Sequence, residues 1–117
     1  MDLNLAVLLG RLATPPELRV FESGSRLLRF LITVKQDQPR RRIDVLPVTW
    51  WEEDTNTEAF TQVLDLNLQP GDRLWICGSY QRRFWDNTDG RRSRLELVAQ
   101  EVEAQQTIID TLNGSTR

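Results

Sequence analysis

Four tryptophans and fourteen arginines are the residues of this 117-residue chain best equipped for chemistry, and Lys35 is the only other basic side chain. Both types present planar surfaces: indole rings stack, and guanidinium groups stack and also fork onto phosphate. They interleave most densely in Arg82-Arg83-Phe84-Trp85-Asp86-Asn87-Thr88-Asp89-Gly90-Arg91-Arg92. Rings flanked by arginines on a projecting hairpin make a platform on which bases stack while cations neutralise phosphates, at roughly 1–3 kcal/mol per stacked base. A tryptophan near a solvated hairpin tip has little core to enter, so Trp85 is read as a ligand contact.

The formal charge, −2 from 15 basic and 17 acidic side chains, argues weakly against a polyanionic partner until it is broken down by position. Lys35 to Arg42 carries four bases (Lys35, Arg40, Arg41, Arg42) against Asp37. Ser79 to Arg94 carries five (Arg82, Arg83, Arg91, Arg92, Arg94) against Asp86 and Asp89, whereas Glu52 to Asp65 holds five acids and no base. A dipolar layout of this kind can present a basic face to a polyanion whatever the total.

Other chemistries lack their residues. There is no histidine and one cysteine, Cys77, so disulfide frameworks, zinc and copper ligand sets and histidine triads are excluded. A nuclease-type metal site needs converging carboxylates, and the one dense acidic run, Glu52-Glu53-Asp54, is consecutive at a strand end, where side chains diverge. The expectation is no metal, no cofactor and no enzyme. No apolar run approaches the ~18 residues of a membrane span, and the N-terminus lacks a signal-peptide pattern. A soluble, cytoplasmic protein of a reducing compartment is expected.

The elements that must position these side chains can be read in order. Asn4 to Leu12 is an almost continuous apolar run, as expected of a strand covered by the barrel core on one face and by another subunit on the other, and Gly10 inside it marks a bulge or barrel corner. Ala13-Thr14-Pro15-Pro16 breaks it, Leu18 to Phe21 is a short extended piece, and Ser23-Gly24-Ser25 turns into a second strand, Leu27 to Lys35. A basic loop, Gln36 to Arg42, leads to a third strand, Ile43 to Trp51. Thr55-Asn56-Thr57-Glu58 fits a capping box opening a helix with Ala59, Phe60, Val63 and Leu64 at helical spacing, which Gln69-Pro70-Gly71-Asp72 ends. Arg73 to Trp85 and Ser93 to Val102 are strands four and five, joined by a hairpin tip at Asp86 to Gly90. Five strands with one helix between the third and fourth, and a long hairpin joining the last two, describe an all-β, five-stranded oligonucleotide-binding (OB) barrel. The domain is placed at residues 1–103 and a short polar tail at 104–117, with Ile108, Ile109 and Leu112 as a possible short helix or docking segment.

Strand alternation sorts the remaining rings. Trp50 shares parity with Val48 and Leu46 and looks like core; Trp51, with Thr49, Pro47 and Val45, is the outward ring. Trp75 shares parity with Trp85 and fits either a ligand surface or a contact between subunits.

These stretches together resemble the bacterial-type single-stranded DNA-binding protein (SSB) family, from about Asp2 to Val102. NLAVLLGRLATPPELRVFESG, RLLRFLITV, DVLPVTWW, QPGDRLWICGSYQRRFWDNTDGRR and LELVAQEVE fall in the family's order and spacing. The resemblance implies base stacking by Trp85 and Trp51, a phosphate contact by Arg83, and a basic contact position at Arg19. With the charge layout it implies backbone neutralisation by Arg82, Arg83, Arg91, Arg92 and the Arg40, Arg41, Arg42 loop. It also implies a homo-oligomer, a tetramer before a dimer, with the first strand in an interface, and a place at the nucleoid or its organelle equivalent. Departures are Val45 where an aromatic is usual, no tryptophan in the loop after strand two, acids at Glu52 to Asp54 that would repel a passing strand, and no acidic recruiting tail. They motivate an alternative, an OB-fold protein-interaction or assembly subunit derived from the family with weak or no DNA binding.

Overall fold

The residues of β3, β4 and β5 that point into the core are apolar along the middle of each strand, and this pattern closes the chain into a barrel. The computed structural model describes residues 1–105; the tail segment around Ile108 to Leu112 lies outside them. The elements are β1 (Ala6–Leu12), β2 (Glu17–Val20), β3 (Arg26–Gln36), β4 (Arg42–Trp51), α1 (Thr57–Asp65), β5 (Arg73–Asn87) and β6 (Gly90–Ala104). The sheet runs β1-β5-β6-β4-β3-β2, and β1 also pairs with β3, closing a five-stranded ring with β2 beside it. All pairings are antiparallel except β4 with β6, at Val48–Leu97 and Thr49–Val98.

This is the expected OB barrel, with one difference of count. The extended piece after the double proline is a paired strand, β2, whose Glu17, Leu18 and Arg19 face Arg29, Leu28 and Leu27 of β3. The helix therefore follows the fourth strand in chain order. Gly10 lies where the barrel closes, as β1, still paired with β5 through Arg11, begins to pair with β3: a Cβ there would lie 2.4 Å from the Thr33 carbonyl oxygen, so only glycine admits this approach.

Leu28, Phe30 and Ile32 of β3, Val48 and Trp50 of β4 and Leu74 and Ile76 of β5 fill the interior, and Phe60 and Val63 of α1 plug one end. Trp50 is 1% exposed, with ring centroids 5.2 Å from Phe60 and 6.4 Å from Phe30. The capping box does not form. The Asn56 side chain instead turns back, accepting the Glu53 N–H at 2.8 Å and donating to the Trp51 carbonyl at 2.9 Å. It holds the exit from β4, and with it the strand end that carries Trp51.

Within the single chain the first strand alternates: Leu12 is buried in the core, whereas Leu5, Val7 and Leu9 are exposed on the side expected to meet another subunit. Opposite Val7 and Leu9 stand Cys77 and half-buried Trp75 of β5. Among the described residues no helix is long and apolar enough to cross a membrane.

Candidate nucleic-acid interface

The outer side of β3 and β4 and the adjoining side of the β5–β6 hairpin make one surface, set by strand parity. Arg29 lies opposite Thr49 and Glu17, and Thr49 opposite Val98 of β6. On the hairpin, Arg83 pairs with Arg94 and Trp85 with Arg92, so these four side chains share a face. Arg29, Arg83, Trp85, Arg94 and Glu96 line a cavity of about 190 Å³. The Arg94 guanidinium carbon stands 5.8 Å from the centroid of Trp85, whose side is 39% exposed, so ring and cation form adjacent plates. Glu96 is mostly covered and sits 3.7 Å from Arg83 Nη1. Three guanidiniums around one carboxylate leave the cavity positive.

A second aromatic pair lies at the far corner of this surface. Trp51 faces outward, as alternation requires, but is half-buried because Phe21 stacks on it, centroids 5.5 Å apart at 24°. Leu27, in register with both Arg19 and Trp51, is buried beneath this corner. The ring offered to solvent there is Phe21 as much as Trp51. Arg19 is exposed and bonds Glu17 at 2.6 Å; that hydrogen bond first, then the charge of Arg19, holds the Glu17 carboxyl below its usual range.

The other expected contacts divide. Arg92 joins the Trp85 face, but Arg82 and Arg91 point to the opposite side of the hairpin, with Phe84. None of Arg40, Arg41 and Arg42 lines the Trp85 cavity. Arg42 bonds Asp44 at 2.6 Å, which raises its pKa, and Arg41 stands 3.9 Å from Asp37. Glu52 is not a free repelling charge. Arg26 grips it in two bonds of 2.8 and 2.7 Å, and this hydrogen bonding lowers the Glu52 pKa and raises that of Arg26. Glu53 and Asp54 remain exposed.

Three residues of this surface escaped the sequence reading: Arg29 and Phe21, which it passed over, and Arg94, which it counted as charge without placing it. Arg29 stands alone in an apolar stretch, and its signal was parity, since it alternates with Leu28 and Phe30 of the core.

Comparison with known proteins places the chain in a family. The model of the "Single-strand binding protein family" matches residues 3–105. A single-stranded DNA-binding protein of Neisseria meningitidis serogroup A is 26% identical over 88% of this chain, and one of Rickettsia felis is 27% identical over 97%. One of Halalkalibacterium halodurans is 30% identical over 86%. The chain spans 60% of the length of the Neisseria and Halalkalibacterium relatives and 77% of the Rickettsia one. Among solved structures, a Plasmodium falciparum SSB in complex with ssDNA superposes with a TM-score of 0.70 at 18% identity, covering 89% of this chain and 96% of that one. That likeness is one of fold.

Proposed function

Because the chain belongs to the single-strand binding protein family over residues 3–105, we propose that it binds single-stranded DNA without enzymatic turnover and with little regard to sequence. The observation that carries this reading is the cavity in which Trp85 is framed by Arg29, Arg83 and Arg94, with Arg92 directly across the hairpin. A base stacks on Trp85 while neighbouring phosphates meet the guanidiniums. The strand then continues across the outer side of β3 and β4 towards Phe21, Trp51 and Arg19, with the Arg40 to Arg42 loop contributing long-range attraction. Stacking tolerates every base, and phosphate contacts carry no sequence information.

Binding driven by counterion release weakens steeply with salt. Titrating the protein with oligo-dT at low and high salt while following tryptophan fluorescence tests the reading. Quenching that saturates at low salt and reverses with added salt supports it; an unchanged signal at micromolar protein in low salt refutes it.

The exposed row Leu5, Val7 and Leu9 beside Trp75 supports self-association through β1, with a tetramer as the expected assembly. The working place in this reading is the cytoplasm, on DNA at the nucleoid or its organelle equivalent.

A further inference from the structure

Beyond Tyr80 on β5 and up to Leu95 on β6, every hairpin residue is exposed, so both faces of this ribbon are open to solvent. One face carries Trp85 and its arginines. The other carries Arg82, Phe84, Arg91, Ser93 and Leu95, because Arg82 pairs with Leu95 and Phe84 with Ser93. Phe84 is 53% exposed, and the Arg91 guanidinium carbon lies 4.7 Å from its ring centroid. Arg82 donates to the Ser93 hydroxyl at 3.2 Å, which holds its guanidinium along the ribbon. The two faces thus share an exposed ring with an arginine over it and a second arginine close by: Arg92 directly across from Trp85, and Arg82 two residues before Phe84 on the same strand.

We propose that the Arg82, Phe84 and Arg91 face is a second contact surface for single-stranded DNA, so that one hairpin holds two stretches of strand, one on each side. This rests on the single-stranded DNA reading above and extends it to a face which that reading leaves empty. Charge complementarity selects the occupant: two guanidiniums stand there against Asp86, opposite Arg91 in register. Both the Phe84 ring and the Arg91 plane offer stacking area to a base. An antiparallel ribbon is also only about one strand pair wide, so a strand long enough to pass its edge reaches both faces.

The test uses the full chain and two lengths of oligo-dT, one of about 8 nucleotides and one well beyond the ~16 that bound a single OB fold. Phe84→Ala is expected to keep the wild-type melting curve and the wild-type affinity for the short oligonucleotide. For the long one, losing a stacked base should weaken binding about 5- to 150-fold and lower the nucleotides occluded per chain. Phe84→Trp in a Trp85→Phe background places a reporter on the far face, and the long oligonucleotide should quench it. An unquenched reporter at saturation, or unchanged long-oligonucleotide affinity and occlusion in Phe84→Ala, overturns the proposal. So does loss of self-association with DNA uptake intact, which would make the face an interface between copies. Failure of the wild-type chain to respond to either oligonucleotide at low salt refutes the underlying reading instead.

Discussion

Arg29 is the sharpest test of the proposed path, because it belongs to the barrel wall and not to the hairpin, yet lines the same cavity as Trp85. If Arg29, Arg83, Arg92 and Arg94 each neutralise one phosphate, log K should fall with log salt at a slope of about −2.8, from roughly −0.7 per contact on a single strand. Raising salt from about 50 to about 200 mM then weakens binding about 50-fold. Arg29→Gln removes one contact, so the slope drops to about −2.1 and the same change costs only about 20-fold. A contact that acts purely through counterion release also makes the variant about 8-fold weaker than wild type at 50 mM and about 3-fold weaker at 200 mM, converging near 1 M. Fluorescence titrations with oligo-dT at several salt concentrations measure both quantities. Arg73→Gln serves as control, since Arg73 pairs with Arg11 across β1 and β5, outside the Trp85 cavity. A constant wild-type-to-variant ratio at all salts would show that Arg29 acts through packing, and the path across β3 and β4 would be wrong.

Trp85→Ala should weaken oligo-dT binding about 5- to 150-fold, the loss of one stacked base; wild-type affinity in a titration read by a labelled oligonucleotide would remove Trp85 from the site. Gly78→Ala should destabilise the barrel by about 1–3 kcal/mol or more, because its Cβ would lie 2.1 Å from the Val98 carbonyl oxygen and 2.9 Å from Ala99 Cα. A thermal midpoint equal to wild type would contradict that. Acid stability tests the Arg26–Glu52 pair. Folded Glu52 has a lowered pKa, so in the interval below the ordinary glutamate range the unfolded chain binds the proton first. The pair's contribution is complete above that range and is lost as pH falls towards the folded value. Glu52→Gln should flatten this limb of the stability–pH curve, and superimposable acid limbs would assign the stability elsewhere.

The barrel was legible because each strand carries its own pattern, and the order of five strands around one helix admits few closures. Trp50 and Trp51 separated correctly for the same local reason: neighbours on a strand face opposite ways. On the hairpin, alternation sets Arg83 with Trp85 and Arg82 with Phe84, but summing its arginines as charge groups Arg82 and Arg91 with Arg83 and Arg92; β5 stays regular to Asn87, so the two pairs stand on opposite faces. Glu52 misled because its partner Arg26 is 26 residues away, brought close by the Leu27–Trp51 register. Charge counted along the chain cannot see pairing across strands; Arg29 has a different signal, its alternation with Leu28 and Phe30, which a count of charged runs passes over. The Thr55 to Glu58 pattern failed differently: Asn56 found better partners in the backbone of the turn before the helix.

One irregularity decides which side chains meet at Trp85. Cys77 lies opposite Glu101 and Gly78 opposite Ala99, so Gln100 has no partner on β5 and forms a bulge. On β6, the inward residues are Val102 and Ala104 on one side of it and Leu97 and Ala99 on the other, a change from even to odd numbers. Were Gln100 paired in regular register instead of bulged, the even set would stay inward, turning Glu96, Arg94 and Arg92 away from Trp85 and carrying Leu97 and Ala99 outward. The bulge also presses the β6 backbone onto β5, and Gly78 is the residue that admits it, since even a methyl group would collide with Val98 and Ala99. Gly78 is seven residues from Trp85 and touches no ligand in the proposed complex. It nonetheless lets the hairpin present ring and guanidiniums on one side.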